Sequence, residues 1–387
     1  MKRVGFYPRY VLFVLLGVYV SQQWARFLLN YLYAVSDTGY DDDKEDFYSI
    51  ADATGISDTE YGLLVGYGFS LFYVLFGLVM GRAADLYNRQ LIITYGLAIW
   101  NIALVFMGIS QNFWQLLLSR ILLGIGQSFS IPASYSLIAD YFPTEMRGEA
   151  NGIFAFGVYF GGALSSLSIS IAQGVGWRNS CYVVAAYGLA LLLLMATTIR
   201  DPARSPPAGN PWGTTRREGD SAAIGPGWGP RAPPGGTEEA EGLTVMQSLQ
   251  LIFGQRLLCL LFLGGMIRFM AGYIIGAFLP SFYTEIFPDF NTAYSYINAS
   301  VVAIGGATSS YLGGLAADRW EKVGEERARM YIPAIASFLG APAIALVILV
   351  PNFYASMFCL FLEYLVAESW FGPAISVLQN NLPPRAR

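Results

Sequence analysis

Residues 81–85 read Gly-Arg-Ala-Ala-Asp, and residues 314–318 read Gly-Leu-Ala-Ala-Asp. Each stretch closes an apolar run, and the two aspartates lie 233 positions apart. A second match follows in the same order, because Pro132-Ala133 recurs as Pro373-Ala374 at an offset of 241 positions. Two ordered matches indicate an internal duplication, in which each half of the chain carries the same succession of apolar segments.

The composition around these repeats excludes an ordinary soluble protein. The 387 residues are 55% hydrophobic and only 13% charged, whereas a soluble domain carries about a quarter charged residues. A helix that crosses a bilayer needs about 20 mostly apolar residues. Ten runs meet this requirement, and they predict an all-α polytopic membrane protein: residues 10–34, 61–80, 91–109, 113–140, 150–171, 178–199, 257–282, 293–317, 330–350 and 353–379.

The basic residues predict how the chain crosses the membrane. With the N-terminus inside, 18 of the 23 Lys and Arg residues fall in the cytoplasmic segments and only Lys44 and Arg178 fall outside. Cytoplasmic loops carry such an excess of positive charge. We therefore expect both termini to be cytoplasmic and residues 35–57 to face the other side.

The spans divide into two groups around a polar segment. Residues 201–244 contain 8 prolines and 9 glycines, a composition that cannot bury enough apolar surface to fold. We predict a six-span bundle over residues 1–200, a disordered cytoplasmic linker over 201–250 with a surface helix near Val245–Phe253, and a four-span bundle over 251–387. Because spans eleven and twelve are missing from the repeat, we expect a fragment or a truncated gene product.

Several classes of function lack their usual residues. The sequence has no histidine, the commonest general base and metal ligand near neutral pH. Its three cysteines each lie in an apolar run, which is typical of buried thiols. No phosphate-binding loop of the Walker type is present, and a net charge of −4 gives no basic surface for nucleic acid. We predict a non-enzymatic protein with no catalytic residue, no metal, no cofactor and no nucleic-acid partner.

The repeated motifs, with the polar segment between them, resemble those of the major facilitator superfamily. Within it the chain is most similar to the spinster-like transporters of sphingolipids and lysolipids, through residues 84–89, 113–120, 124–126, 138–142 and 200–202. The resemblance implies two pseudo-symmetric helical bundles with 10 of 12 spans present. It also implies a monomeric secondary active or facilitative transporter, which carries a small organic solute, anionic or lipid-like, by alternating access. The alternative is a non-transporting paralogue that serves as a membrane scaffold or receptor.

The resemblance assigns the two Gly-x-Ala-Ala-Asp stretches to cytoplasmic gates. Asp318 is then expected to meet the start of span five near Gly148, and Asp85 is expected to meet span eleven. The other interpretation is that these residues anchor their spans among lipid headgroups. The candidate gate residues are Gly81, Asp85, Arg89, Gly314, Asp318 and Arg319.

Charged residues also fall inside the spans, where each costs at least about 2.5 kcal/mol on insertion scales. They are Arg26, Arg120, Arg268, Glu363 and Glu368. Their spans, one, four, seven and ten, are the ones that line the central cavity in the superfamily. We expect Arg120 and Arg268 to bind an anionic head, with help from Arg26. Two other interpretations stay open. The Arg26 side chain extends to the membrane–water interface, or Arg268 and Glu363 form a permanent ion pair.

Two positions depart from the spinster-like pattern. Tyr33 follows Asn30 and Tyr31 where the pattern has an acidic residue, and Gln127 stands where it has a glutamate. Neither side chain forms a carboxylate, so the usual proton-coupling acids are replaced. Two possibilities are left: protons are coupled to transport through Glu363 or Glu368, or the solute crosses by facilitated diffusion. The candidate substrate and coupling residues are therefore Arg26, Asn30, Tyr33, Arg120, Gln127, Arg268, Glu363 and Glu368.

Overall fold

The computed structural model describes residues 5–35, 49–202, 253–323, 325, 327–374 and 377. Within these ranges the chain forms helices and short connections, without a strand. The predicted linker from residue 203 onward, almost all of the predicted surface helix at Val245–Phe253, and most of the chain after residue 374 lie outside the described residues.

Helices occupy all six predicted positions of the first half. Short breaks divide three of these spans. The six spans are Phe6–Ala34; Asp58–Val65 with Tyr67–Leu86; Arg89–Ile109; Phe113–Gln127 with Ser130–Tyr141; Thr144–Ala155 with Gly157–Val175; and Trp177–Thr198. A five-residue helix, Ile50–Thr54, precedes the second span, and Gly55 ends it with φ 64° in the left-handed region.

Four further helical segments follow in the second half, as predicted. They are span seven, Arg256–Ile286; span eight, Asn291–Ser300 with a π-helical Val301–Gly306 and Ala307–Lys322; span nine, Ala328–Leu349; and span ten, Phe353–Ala367. Among the described residues nine helices are long and apolar enough to cross a membrane. Span ten has 15 residues in its α-helix and continues into the 3₁₀-helix Glu368–Trp370.

Asparagine caps start the equivalent span of each half. The side chain of Asn112 accepts a hydrogen bond from the backbone N–H of Gln115 at 3.1 Å, and Asn352 accepts one from Ala355 at 3.0 Å. A side-chain oxygen at this position satisfies one of the backbone donors that a helix start leaves unpaired. The two caps are 240 positions apart, and each precedes a Phe. They therefore extend the predicted repeat to the starts of spans four and ten.

The chain packs as two compact units. The first comprises Met1–Gln22, Gly62–Gly157 and Tyr182–Pro234, and the second comprises Gln23–Tyr61, Val158–Cys181 and Gly235–Arg387, as far as these residues are described. The division passes through span one between Gln22 and Gln23. The bundles predicted over 1–200 and 251–387 follow the repeat instead, and they stay a prediction.

Glycines bring the helices of the first unit close together. A Cβ at Gly124 of span four would lie 2.6 Å from the backbone oxygen of Phe69 in span two. A Cβ at Gly96 of span three would lie 2.7 Å from the oxygen of Gly126. Because both neighbours are backbone atoms, neither can turn aside. These contacts fix spans two, three and four against one another.

Tyrosine side chains pack against glycines in the second unit. The π-helical segment of span eight ends with Gly305 and Gly306. A Cβ at Gly305 would lie 3.1 Å from the Cβ of Tyr364, and one at Gly306 would lie 2.2 Å from the Tyr159 ring. Span eight thus lacks side chains here, so that a tyrosine from span five and another from span ten can pack against it.

We predict that Gly124→Ala destabilises the protein. The added methyl group has no room beside the Phe69 carbonyl, and overpacking of this kind costs about 1–3 kcal/mol. Gly77→Ala is the matched control, since no described atom lies within 4 Å of its Cβ position. Thermal unfolding in detergent should give a lower Tm for Gly124→Ala and an unchanged or higher Tm for Gly77→Ala. Equal Tm values would contradict the close approach.

Candidate functional site

Arg89 is the centre of an ion network in the first unit. Its side chain is buried and forms ion pairs with Asp140 of span four and with Asp201 after span six. The distance from Nη2 to the Asp201 carboxylate is 2.7 Å, and the same nitrogen donates to the carbonyl of Pro202 at 2.9 Å. Arg89 therefore joins the cytoplasmic ends of spans three, four and six, by the predicted orientation. The gate contact predicted between the first motif and span eleven stays a prediction.

Asp318, the aspartate of the second motif, is bound within the second unit. Its carboxylate lies 3.1 Å from Nη2 of Arg329, the same nitrogen that lies 2.8 Å from Glu321. Its side chain is 57% exposed. This exposed ion pair joins the ends of spans eight and nine. The predicted contact of Asp318 with the start of span five concerns the other unit and stays a prediction. Among the remaining gate candidates, Asp85 and Arg319 are exposed. Gly81 and Gly314 are half-buried.

Arg120 is buried in the first unit, in contact with span two. Its Nε donates to the carbonyl oxygen of Leu64 at 3.3 Å, and its Cζ lies 5.2 Å from the centre of the Phe69 ring. An aromatic face attracts a cation through its electron density, and a carbonyl oxygen attracts it through its dipole. The guanidinium thus joins span four to span two as a buried cation.

Gln127 forms a reciprocal hydrogen-bonded pair with Gln22. The Gln127 amide donates to the backbone oxygen of Gln22 at 2.8 Å, and the Gln22 amide donates to the backbone oxygen of Gln127 at 3.1 Å. Both side chains are fully buried. The spinster-like pattern has a glutamate at this position. In this chain Gln127 occupies it and joins span four to span one.

Arg26 and Asn30 contact span seven within the second unit. Arg26 donates from Nη1 to the hydroxyl of Tyr273 at 2.9 Å, and Asn30 donates to the carbonyl oxygen of Gly276 at 3.0 Å. Both side chains are buried. The interpretation in which Arg26 reaches the membrane interface is therefore wrong, because its guanidinium points into the protein and binds another helix.

Tyr33 has a carboxylate partner in span two. Its hydroxyl donates to Asp58 at 2.5 Å, and its ring stacks on Tyr61 with the ring centres 3.8 Å apart. Sequence reasoning missed Asp58. The residues on either side of Asp58 could have indicated a helix start, because Ser57 and Glu60 form a capping box. The Glu60 carboxylate accepts a hydrogen bond from the Ser57 backbone N–H at 2.9 Å. This box fixes the start of span two, and with it Asp58, beside the end of span one.

Arg268 pairs with Glu368 and not with Glu363. Its Nη2 lies 3.2 Å from the Glu368 carboxylate and donates to the carbonyl oxygen of Ala367 at 3.1 Å. Tyr159 donates from its hydroxyl to Glu368 at 3.5 Å. Glu363 is only 6% exposed, and no hydrogen bond or ion pair connects it to a residue that the structure describes. The interpretation of a permanent Arg268–Glu363 pair is therefore wrong for this conformation.

A neutral hydrogen-bond network, which the sequence did not reveal, also lies in the second unit. Asn298 of span eight donates to the hydroxyl of Tyr31 at 3.1 Å and to the hydroxyl of Ser166 at 3.0 Å. The hydroxyls of Ser166 and Ser295 each donate to the other residue's backbone oxygen, at 3.0 and 2.8 Å. Spans one and five are thereby joined to span eight. Serine and asparagine in an apolar helix were the available signal.

The candidate residues thus fall into two groups. The second unit holds six of the eight substrate and coupling candidates: Arg26, Asn30, Tyr33, Arg268, Glu363 and Glu368. The first unit holds Arg120 and Gln127.

We predict that Gln127→Glu makes stability depend on pH. A protonated glutamate can donate to the Gln22 carbonyl as the amide does, whereas an ionised one loses that bond and leaves a charge buried. The stabilising form is the protonated one, so stability is present at low pH and is lost as pH rises. The Tm of this variant should fall between about pH 5 and pH 8 relative to the unsubstituted protein. Parallel pH profiles for the two proteins would contradict the pairing.

Comparison with known proteins agrees with the geometry. The sequence model of the Major Facilitator Superfamily matches residues 11–387. Protein spinster homolog 1 of Mus musculus is 31% identical over 184 residues, 46% of this chain and 33% of that protein. The Homo sapiens homolog is 30% identical over 205 residues, 51% of this chain and 36% of that protein. The chain thus spans about a third of the length of these relatives in alignment. The hexuronate transporter of Bacillus subtilis (strain 168) is 26% identical over 153 residues, 39% of this chain and 36% of that protein.

Solved structures share the fold. A bacterial homolog of the human lysosomal transporter Spinster, in an inward-facing and unoccupied conformation, superimposes with a TM-score of 0.73 at 22% identity. The superposition covers 99% of this chain and 77% of that one. A mutant of the nucleoside transporter NupG gives 0.64 at 13% identity over 97% of this chain and 84% of that one. These comparisons confirm the predicted resemblance to spinster-like proteins and the all-α fold of an integral, multi-pass membrane protein. With a family match that runs from residue 11 to residue 387, this chain belongs to the Major Facilitator Superfamily.

Proposed function

We propose that this chain moves a small organic solute across the membrane by alternating access and binds it with charged side chains of spans one, four, seven and ten. The observation that carries the proposal is the burial of Arg26, Arg120 and Glu363, together with the Arg268–Glu368 pair. Ionisable residues inside membrane helices are expensive and mark solute or proton pathways. The membership of a transporter superfamily supports the same function.

Alternating access needs contacts that can be broken and remade, and the network around Asn298 has that character. It joins spans one and five of the first half to span eight of the second through uncharged groups only, as far as the described residues show. Neutral hydrogen bonds contribute about 0.5–1.5 kcal/mol each, so water can replace them when a gate opens. By the predicted orientation, with both termini inside, this network lies on the side away from the cytoplasm.

The solute is proposed to carry an anionic group and an apolar part. Arg120 is a buried cation in span four, and Arg268 is bound through Nη2 while its buried Nε has no hydrogen-bond partner among the described residues. Arginine binds carboxylates and phosphates through short charge-assisted hydrogen bonds. A lipid-like solute is what the sequence resemblance to spinster-like transporters implies, and likeness to a transporter named for hexuronate supports an anion.

We predict that Arg120→Gln and Arg268→Gln each reduce uptake at least about tenfold, the loss expected when a charge-assisted hydrogen bond is removed. Purified protein in liposomes would be tested with radiolabelled lysophosphatidate, an anionic lysolipid, and with radiolabelled glucuronate. Lysine at either position should retain part of the uptake because it keeps the charge. Arg256→Gln is the matched control, since Arg256 is exposed at the start of span seven. Uptake of neither solute above empty liposomes would contradict the proposed function.

A second prediction concerns the gate. Asn298→Ala removes the hydrogen bonds to both Tyr31 and Ser166 and should shift the population toward the state open on the outer side. In a cysteine-free background, a cysteine placed at Ser295 should then react about tenfold faster with an impermeant thiol reagent. Ser300→Ala is the control, because the Ser300 hydroxyl binds only the backbone of its own helix among the described groups, at Tyr296. Equal rates in both variants would show that the network is not a gate.

A further inference from the structure

An apolar groove lies between span three and span six, and both of its walls belong to the first unit. Residues at helical spacing line it, between positions 98 and 109 on span three and between positions 182 and 192 on span six. The groove holds about 660 Å³. Sites for small organic ligands hold about 300–1,000 Å³ and are mostly apolar, with a few polar groups. The size and the lining of the groove therefore suit one small, largely apolar molecule.

A close contact between the two helices fixes the width of the groove. A Cβ at Gly188 of span six would lie 2.1 Å from Oδ1 of Asn101 in span three, so the glycine makes room for the amide. Asn101 is buried and donates from Nδ2 to the carbonyl oxygen of Leu97 in its own helix at 2.7 Å. Because this contact holds the two helices at a set distance, the groove is formed before any ligand enters it.

The two walls of the groove differ in shape. Span three lines it with the branched side chains of Ile102, Val105 and Ile109, which are exposed on the protein surface. Span six lines it with Ala185 and Ala186, whose side chains are single methyl groups. A sterol matches this difference, because its ring system is smooth on one face and carries methyl groups on the other. A preformed groove also favours a rigid ligand, which loses little conformational freedom on binding.

The polar groups of the groove indicate a ligand with a neutral head. Among the described residues that line it none is charged, so the lining offers no partner for a phosphate or an ammonium group. The hydroxyl of Tyr182 has no hydrogen-bond partner among the described residues. By the predicted orientation Tyr182 lies near the outer end of span six, where tyrosines are enriched at the membrane interface. A sterol has a single hydroxyl, which lies at that interface.

The length of the groove matches one leaflet of a bilayer. Residues 98–109 of span three extend over about 16 Å, at a rise of about 1.5 Å per residue. The hydrocarbon core is about 30 Å thick, so one leaflet contributes about half of that thickness. By the predicted orientation the groove therefore runs from the outer interface toward the middle of the membrane, as a sterol of the outer leaflet does.

We infer that the groove between spans three and six is a binding site for a membrane sterol. The sterol hydroxyl forms a hydrogen bond with the hydroxyl of Tyr182. Its smooth face packs against Ala185 and Ala186, and its methyl-bearing face packs against the branched side chains of span three. This inference goes beyond the proposed function, because none of the charged side chains assigned to the solute lines the groove. Binding makes and breaks no covalent bond.

Photolabelling tests the site directly. The full chain in phosphatidylcholine nanodiscs would be exposed to a cholesterol analogue with a photoreactive diazirine on its ring system, and mass spectrometry would locate the label. We expect labelling within residues 98–109 and 182–192, displaced by cholesterol. Ala186→Trp fills the groove with an indole ring and should reduce this labelling at least about tenfold. Ala196→Trp is the matched control, because Ala196 is exposed on the same helix and does not line the groove.

A second variant tests the polar contact without changing the shape of the groove. Tyr182→Phe removes one hydroxyl group and keeps the ring, so the fold is preserved. The loss of a neutral hydrogen bond should weaken the apparent affinity for cholesterol about two- to tenfold. Epicholesterol, whose hydroxyl has the opposite orientation, should compete more weakly than cholesterol in the unsubstituted protein and equally well in Tyr182→Phe.

Three results would overturn the inference. The first is equal labelling of the groove in Ala186→Trp and in the unsubstituted protein, or labelling confined to other helices. The second is displacement of the label by palmitate as effectively as by cholesterol, which would show that the groove holds an acyl chain. The third is equal competition by the two sterols in the unsubstituted protein, which would exclude the hydrogen bond to Tyr182. Since these measurements involve no transported solute, the inference and the proposed function fail independently.

Discussion

A charge removed from water inside a bilayer costs at least about 2.5 kcal/mol on insertion scales, and the described helices pack in ways that offset this cost. Arg26 has a tyrosine hydroxyl, and Arg120 has a carbonyl and an aromatic ring. In each case a partner comes from another helix. The need to stabilise buried arginines therefore ties together spans that apolar contacts alone would leave free to slide, since lipid tails are as apolar as the side chains between helices.

The sequence predicted the helices well because their signals are local. Length, hydropathy and the asparagine before each of two helices are properties of consecutive residues, and the ten helical segments lie where the apolar runs predicted them. The burial of Arg120, Arg26 and Glu363 followed in the same way, because a charge within an apolar run has no short route to water.

The partners of these charges could not be predicted, because they depend on how helices distant in sequence face one another. Glu363 and Glu368 would be about 140° apart on an ideal α-helix, which suggested different surroundings for the two. The α-helix instead ends at Ala367, and Glu368 starts a 3₁₀ turn that brings it to Arg268. Tyr33 illustrates the same limit, because its partner Asp58 is 25 residues away and is positioned by a capping box.

The break after Ala367 has a counterpart in the other half of the repeat. Span four is interrupted after Gln127, at an offset of 240 positions, and resumes at Ser130. In both halves the last carbonyl before the break accepts a side chain from the first span of that half: Gln22 binds Gln127, and Arg268 binds Ala367. The internal repeat therefore extends from sequence motifs to a break in helix geometry. The carbonyl that precedes the break is bound by an amide side chain in the first half and by a guanidinium in the second.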